Sequence, residues 1–500
     1  MKLAASSRAA RRNAKNARKW KQQEQACRKA EAKVKAGASA VEMEKLEPIH
    51  RRAAGIDIGS AENYVAVPAE CVGPGESAVR VFGVFSEQQD TLVEWLRSCQ
   101  ISTVAMEATG VYWLTLYDKL EAVGIEVYLV DPHEVKAVPG RKSDWMDCQW
   151  IQKLHTYGLL RRAFRPDAPI RRLRTLTRQR TELVAAAASQ QQQMEKALIC
   201  LNVQLGLVVS DLAGETGMSI IRAILVGERD PVVLVERYRS ARCSKASVAE
   251  MKQALQGTYN DEDLFVLQQN VDSWDFLHKQ IGECDGKIEL ALQAIPTARV
   301  VELKAPPLPV PAAAQQPKKK TKGTASKNAP DKDFTPILQR ICGVDLTKVI
   351  GLNLLSVLML IGEIGTDMSR WRSAQAFCSW LGLCPGAKIS GGRVLSRRTR
   401  KVVNRAAMIL RLAAVAVGRT DTWIGLFYRR IKARKGGPKA VTATARKLAC
   451  IIYHMLKYQV EFVALDMDKY VAQAEAHRLR YLTREAKKLG YQLIEMEQAA

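Results

Sequence analysis

The sequence contains no apolar run long enough to cross a membrane. Its most apolar stretch, residues 349–364, is shorter than the roughly 20 residues that a spanning helix needs. That stretch is also interrupted by Asn353, Ser356 and Glu363. The N-terminus is basic throughout and lacks the apolar segment of a signal peptide. We therefore expect a cytoplasmic protein without a membrane partner.

The cysteine motifs of metal-binding and redox proteins are also missing. None of the 11 cysteines belongs to a CxxC pair, and none has a histidine at zinc-finger spacing. We interpret these residues as reduced, mostly buried small side chains. Cys148 lies next to acidic residues, but a packing role is favoured over reactivity there.

Acidic residues are few compared with basic ones. The chain has 76 Lys and Arg but only 51 Asp and Glu, which gives a formal net charge of +25. Such a surface attracts phosphates and releases their counterions, so a polyanion is the expected partner and nucleic acid the leading candidate. With 500 residues the chain can form two or three domains with full cores.

Composition and periodicity divide the chain into five predicted regions. Strands near 55–67, 79–85, 102–106 and 125–130 alternate with helices near 87–99 and 112–123, which predicts a mixed sheet covered by helices. The next region keeps helical spacing and fits a coiled-coil hairpin, a dimerisation arm or a helical bundle. The regions are a basic extension (1–53), the α/β domain (54–167), the helical region (168–303), a Pro/Lys-rich linker (304–333) and a mainly helical basic domain (334–500).

Four acidic residues of the α/β domain are candidates for a metal site. Asp57 interrupts a hydrophobic strand, and Glu107 ends another. Asp144 and Asp147 are three residues apart, so on a helix they share one face. An RNase H-like fold would bring these strand ends and this helix turn together. Clustered carboxylates repel one another unless a cation neutralises them, and Mg²⁺ prefers oxygen ligands.

Each acidic residue has an ordinary interpretation when taken alone. Asp57 could belong to the DxG strand of an actin-like ATPase, and Glu107 could be a solvated strand end. The other pair could simply complement the dipole at a helix N-terminus. Their joint occurrence in the order strand, strand, helix favours metal binding.

The last region contains two basic stretches around a glycine-rich loop. We predict an exposed loop over 385–393, containing Ser390 and Arg393, followed by a basic helix. Charge runs are often solvated faces, but runs flanking a Ser-Gly-Gly loop favour DNA contact. The proposed contacts are Arg393 in the loop and, after it, Arg397, Arg398, Arg400, Lys401 and Arg405. Those of the second stretch are Arg429, Arg430, Lys432, Arg434, Lys435 and Lys439.

Several motifs resemble those of DEDD-type insertion-sequence transposases of the IS-one-ten (IS110) family. GIDIGS, MEATGVYW and KSDWMDCQW are similar to its RuvC-like domain, and LNVQLGLVVSDLAGETGMSIIRAILVGERDP resembles the longer members. FCSWLGLCPGAKISGGRVLSRRTRKVVNRAA and FYRRIKARKGGPKAVTATARKLACIIYHMLK resemble its C-terminal transposase domain. The basic extension and the Pro/Lys-rich linker exceed the usual family pattern.

The resemblance implies specific roles and partners. Asp57, Glu107, Asp144 and Asp147 would be the acidic tetrad that binds Mg²⁺, and Ser390 would be the nucleophile that forms a covalent link to DNA. Arg393 stands where the family commonly has lysine. The implied partners are donor and target DNA, a guide (bridge) RNA and further copies of the chain in a dimer or tetramer. The implied location is the nucleoid of a prokaryotic cell.

Alternative functions remain open from the sequence. A Holliday-junction-type nuclease would use metal-activated water in place of Ser390. A nucleic-acid-binding scaffold with a degenerate site would leave all four acidic residues without a function. An actin-like ATPase would need a second glycine-rich phosphate loop, which the sequence does not show.

Overall fold

The structure of the protein is a computed structural model that places most of the chain. It describes residues 47–108, 110–135, 143–239, 246–298, 328–330, 332–386, 388–391, 393–396, 398–399, 402, 404–463 and 467–492. Most of the predicted basic extension and linker lie outside these residues. The chain divides after Arg165 into two compact units. The finer five-part division stays a prediction.

The first unit is built on a five-stranded mixed sheet with the order β3-β2-β1-β4-β5. β1 pairs antiparallel with β2 and parallel with β4, and β5 continues the parallel side. A turn after Ile58 divides the strand predicted near 55–67 into the two strands of a hairpin. The sheet confirms the predicted RNase H-like α/β class. The strands are β1 (Ala53–Ile58), β2 (Glu62–Ala66), β3 (Val79–Gly83), β4 (Thr103–Glu107) and β5 (Glu126–Val130).

Helices cover both faces of this sheet. Successive residues of a strand point to opposite faces, so Ile56 and Met106 share one face while Gly55 and Ala105 share the other. The first face packs against α1 and α2 through Leu92 and Leu116, and the second packs against α4. The helices are α1 (Ser86–Ser98), α2 (Trp113–Ala122), α3 (Pro132–Val135) and α4 (Asp144–Thr156).

Gly55 lets α4 lie directly on the central strand. A Cβ atom at this position would be 2.2 Å from the backbone nitrogen of Gln152 and 2.4 Å from the carbonyl oxygen of Cys148. Both atoms belong to the backbone of α4, so a side-chain rotation cannot relieve the overlap. Glycine is therefore required here for close packing and not for an unusual φ angle.

The second unit is mostly helical and begins with two helices of 33 residues each, α5 (Ala168–Cys200) and α10 (Asp261–Gln293). They run antiparallel, and the buried guanidinium of Arg180 bonds both carboxylate oxygens of Asp285 at 2.5 and 3.1 Å. Between them lie α6 (Leu205–Val208), α7 (Glu215–Leu225), α8 (Pro231–Tyr238) and α9 (Val248–Ala254). These short helices form a hydrophobic core with the adjoining ends of the long pair. This region thus has a core of its own and is more than a bare helical hairpin.

The remaining helices pack on this pair or on one another. Glu363, near the end of α12, accepts bonds from Arg178 of α5 at 2.8 and 2.9 Å. The helices are α11 (Thr335–Cys342), α12 (Leu354–Ile364), α13 (Ala374–Trp380), α14 (Arg405–Val417), α15 (Trp423–Lys435), α16 (Gly437–Tyr458) and α17 (Met467–Lys488). No helix among the described residues has the length and apolar character to cross a membrane. The predicted cytoplasmic location stays a prediction.

Two sequence predictions about the segment after α13 are wrong. The predicted loop is a β-hairpin of β6 (Lys388–Ser390) and β7 (Arg393–Ser396). The predicted basic helix begins only at Arg405, where Asn404 caps it by accepting a hydrogen bond from Ala407. A bridge between Pro385 and Thr399 continues the hairpin pairing, so Arg398 and Thr399 are not helical. Pairing across the hairpin outweighs local helix propensity here.

We predict that Gly55→Ala disrupts the first unit. The added methyl group must displace the backbone of α4, which should lower the free energy of unfolding by about 1–3 kcal/mol. Gly282→Ala is a matched control, because Gly282 lies in α10 with nothing within 4 Å of an added Cβ. That control should be neutral or slightly stabilising. Thermal and urea unfolding measure both changes, and equal stability of the two variants would contradict the packing argument.

Candidate functional site

The carboxyl ends of β1 and β4 place two acidic side chains on adjacent parallel strands. The register pairs Ile56 with Met106, so the next residues, Asp57 and Glu107, lie at neighbouring positions. Both are half-buried at the end of otherwise buried strands. Because they alternate with Ile56 and Met106, they share the sheet face on which α4 packs. The strand ends predicted from sequence are thus brought together.

The N-terminus of α4 brings two further carboxylates to this face. Ser143 caps the helix, and its hydroxyl accepts a hydrogen bond from the backbone N–H of Met146 at 3.4 Å. Asp144 and Asp147 follow in the first turn, where the helix dipole favours negative charge. Residues 136–142 lie outside the described part of the chain.

Three of the four predicted acidic residues form a compact cluster. Carboxylate oxygens of Asp57, Asp144 and Asp147 all lie within 4.8 Å of one another, the one such group of potential metal ligands among the described residues. Asp144 is exposed, and the other two are half-buried. The cluster is therefore open to solvent on one side.

Burial and the neighbouring carboxylates together perturb the pKa of Asp57. Burial is the largest of the effects that raise the pKa of Asp57 from 3.8 to about 7. The charges of Asp144, Asp147 and Glu107 raise this pKa further, in that order. The carboxylate form of Asp57 is thus disfavoured unless a positive charge lies nearby. Hard carboxylate oxygens at this spacing fit a divalent cation.

Glu107 is not part of the group of three, although its charge acts on Asp57. Its assignment as a fourth metal ligand stays a prediction. A metal ion that drew the four side chains together would supply the missing attraction, because like charges alone keep carboxylates apart.

Of two neighbours of the cluster, Cys148 has the predicted packing role, whereas Tyr64 was missed by the sequence analysis. Burial raises the pKa of the Cys148 thiol well above its usual range, and its Sγ donates to the carbonyl of Trp145 at 3.1 Å, so it packs and is not reactive. Tyr64 was not predicted as a site residue. It pairs with Asp57 across the β1–β2 hairpin, and burial followed by the charge of Glu62 raises its pKa to about 12. Recognition of the short turn after Ile58 would have revealed this pairing.

Ser390 lies in the second unit, at the tip of the β6–β7 hairpin. It pairs with Arg393 across a turn that contains Gly391, and both side chains are exposed. Gly391 has φ of +54° and open space around it. The left-handed conformation suits glycine, and the absence of a side chain leaves the turn accessible to a phosphate. The assignment of Ser390 as nucleophile stays a prediction.

The predicted nucleic-acid contacts fall into distinct groups. Arg398, Lys432, Arg434, Lys435 and Lys439 are exposed. Others already have partners within the fold. Arg405 forms an ion pair with Glu182 at 3.8 Å, and Arg430 bonds the hydroxyl of Tyr470. Arg429 donates to the carbonyl of Thr420 at 2.7 Å. The remaining predicted contacts, Arg397, Arg400 and Lys401, lie outside the described residues.

An RNase H-like domain with a carboxylate cluster at its strand ends, joined to a helical unit with an exposed serine hairpin, is the class of protein that this geometry defines. A family model for IS110-type DEDD transposases matches residues 54–201, and a model of the transposase IS116/IS110/IS902 family matches residues 345–429. These two matches support an IS110-family transposase, a class of enzyme that acts on DNA. No curated protein gave a significant match.

We predict that Asp57→Asn stabilises the metal-free protein. The pKa of Asp57 is raised on folding, so its ionisation opposes folding as pH increases from about 4 to about 7. The free energy of unfolding of the variant should therefore exceed that of the parent by on the order of 1–2 kcal/mol at pH 8 and by little at pH 4. Thermal unfolding in a chelator measures this difference at both pH values. Glu94→Gln, an exposed carboxylate of α1, is the control, and an equal gain there would refute the cluster effect.

Proposed function

We propose that the protein is a DNA recombinase that cleaves and rejoins strands through a covalent link between Ser390 and DNA. Mg²⁺ held by Asp57, Asp144 and Asp147, with Glu107 as a further ligand, would stabilise negative charge that develops on the reacting phosphate. The observation that carries the proposal is the convergence of three carboxylates from a strand and a helix turn. Membership of a transposase family supports the reaction class.

The chain's own groups account for the proposed chemistry as follows. The Ser390 oxygen attacks phosphorus, the bond from phosphorus to the leaving DNA oxygen breaks, and a proton restores the released hydroxyl. One phosphodiester bond replaces another, so its energy is kept for rejoining. Serine is a weak nucleophile and needs a base or a metal ion to accept or displace its proton. A Cβ added at Gly391, the residue after Ser390, would have nothing within 4 Å, so this side of the turn is open.

A water-using nuclease is the second candidate, because the carboxylate cluster forms without any contribution from Ser390. In that reaction activated water attacks the phosphate and releases a free DNA end. The two candidates therefore differ in whether DNA becomes attached to the protein.

We predict that Ser390→Ala abolishes both cleavage and joining while DNA binding persists. Denaturing gels of labelled DNA, incubated with Mg²⁺ and the element's guide RNA, should show protein-linked DNA with the parent and none with the variant. Asp57→Asn should also lose the linked product. Ser396→Ala removes a hydroxyl from the paired strand and should keep activity.

Other outcomes of this assay would overturn parts of the proposal. Free DNA ends at the normal rate with Ser390→Ala would establish the nuclease instead. Equal yields of protein-linked DNA without RNA would contradict guidance by RNA. That part of the proposal rests on the family resemblance and on the chain's net charge of +25. Product in the presence of a chelator would exclude the metal.

The exposed end of α15 is our proposed contact with nucleic-acid backbone. Lys432, Arg434 and Lys435 are exposed within one helical turn. Arg429 is a poorer candidate, because its guanidinium holds the carbonyls of Gly418 and Thr420. The distinction separates cations available to phosphates from those that stabilise the fold.

We predict that replacing Lys432, Arg434 and Lys435 together with Gln lowers the dependence of binding on salt. Each lost phosphate contact reduces the slope of log K against log salt by about 0.9, so the triple variant should lose about 2.7. Filter binding at several salt concentrations measures the slope. Arg97→Gln, an exposed cation of α1, should leave it unchanged. An unaltered slope in the triple variant would identify α15 as a solvated face only.

We also propose that α10 mediates self-association. Phe265, Phe276 and Leu290 are 65%, 59% and 59% exposed. Their separations of eleven and fourteen residues are close to whole numbers of helical turns, so they share one face. Gly286 has no neighbours within 4 Å of an added Cβ, which leaves room for a second helix.

We predict that Phe276→Glu lowers the particle mass, because a charge on this face opposes burial against a second copy. Light scattering over a range of protein concentrations measures the mass. Leu207→Glu introduces the same charge at another exposed apolar residue, outside α10, and should have no effect. Unchanged mass with Phe276→Glu would place any self-association elsewhere.

A further inference from the structure

Two cysteines from different helices of the second unit lie next to each other. Cys378 of α13 is fully buried, and Cys450 of α16 is partly exposed. Their Sγ atoms are 3.5 Å apart. A disulfide requires about 2.05 Å, so a displacement of about 1.5 Å would join them. Their separation in sequence and the lack of a CxxC motif conceal this pair from sequence analysis.

The surroundings hold both thiols in place. The Cys378 Sγ also lies 3.7 Å from the carbonyl of Arg446, one turn before Cys450 on α16. The buried Tyr453 of α16 links the same two helices, because its phenol ring packs against the ring of Phe377 in α13. Tyr453 also donates to the carbonyl of Trp371 at 2.8 Å. The two sulfurs are therefore presented by packed helices and not by mobile side chains on a surface.

We propose that Cys378 and Cys450 form an oxidation site, in which peroxide converts the two thiols into a reversible disulfide. One member of the pair, Cys378, lies close to the hairpin in sequence, since α13 ends ten residues before Ser390. Oxidation would join α13 covalently to α16. Cytosolic disulfides are usually transient, which fits two thiols that are reduced under ordinary conditions.

The electrostatics assign different roles to the two cysteines. The hydrogen bond from Cys378 is the largest of the effects that lower the pKa of Cys450 to about 7, and the charges of Arg446 and Lys447 also lower it. The same hydrogen bond raises the pKa of Cys378, and burial adds to this. Cys450 is thus the thiolate that peroxide meets first, and Cys378 is the resolving thiol.

The reaction balances in two steps. The Cys450 thiolate attacks one peroxide oxygen, the O–O bond breaks, and a sulfenic acid forms with release of hydroxide. Cys378 then attacks the sulfenic sulfur, the S–O bond breaks, and the disulfide forms as water leaves. Overall, two thiols lose two electrons and two protons, and hydrogen peroxide becomes two waters.

Peptide mapping of the full-length protein tests the site directly. The protein is treated with hydrogen peroxide, blocked with N-ethylmaleimide and digested without reductant. We expect a linked peptide pair containing Cys378 and Cys450, which dithiothreitol separates. Peroxide should consume Cys450 about tenfold faster than the exposed Cys200. Recovery of both thiols as free alkylated cysteines would overturn the proposal.

Substitutions assign the two roles. In Cys378→Ser the resolving thiol is absent, so dimedone should trap sulfenic acid at Cys450. Cys384 also lies close enough to influence Cys378 electrostatically, which makes Cys384→Ser the matched control. This variant should form the same linked pair as the parent. Loss of the linked peptide pair in Cys384→Ser, or a dominant Cys384–Cys450 linkage in the parent, would reject Cys378 as the partner. This test holds even if Cys378→Ser fails to fold.

Discussion

The close contact between α4 and β1 is the constraint on which the carboxylate cluster depends. Gly55 has no side chain, so the helix backbone around Cys148 and Gln152 lies directly on the strand. Two residues further along β1 on the same face is Asp57, and one turn before Cys148 is Asp144. A larger residue at position 55 would push the helix away from the strand and increase the distance between their carboxylates. Packing at one buried residue therefore sets the geometry of the site.

The cluster is a region where folding and chemistry have opposing demands. Carboxylates within 4.8 Å of one another repel, and burial together with this repulsion raises the pKa of Asp57. The cap at Ser143 and the dipole of α4 offset part of it for the two helical residues. Strain of this kind is typical of functional sites, because a bound cation can relieve it. It distinguishes this group from the surface acids of the same unit.

In the second unit, buried ion pairs fix how the long helices meet. Arg180 and Asp285 are 3% and 4% exposed, so either charge alone would be costly in the interior. Glu363 plays a similar part between α12 and α5, with bonds from Arg174 and Arg178. Such pairs add less to stability than apolar packing of equal size, but they penalise a shifted register strongly. They hold the helical framework from which the Ser390 hairpin extends.

Local patterns in the sequence determined the sheet, the helices around it and the four acidic positions, because hydrophobic alternation and strand-ending carboxylates are visible in a few residues. They also indicated Ser390 beside its glycines. Only the tertiary structure decided that three of the four acids are close while Glu107 stands apart, that Tyr64 borders the cluster, and that Cys378 approaches Cys450. It also decided that Arg398 and Thr399 lie outside the basic helix, which begins at Arg405. The reason is physical: distances between side chains on separate elements follow from packing and long-range pairing, which local propensity does not encode.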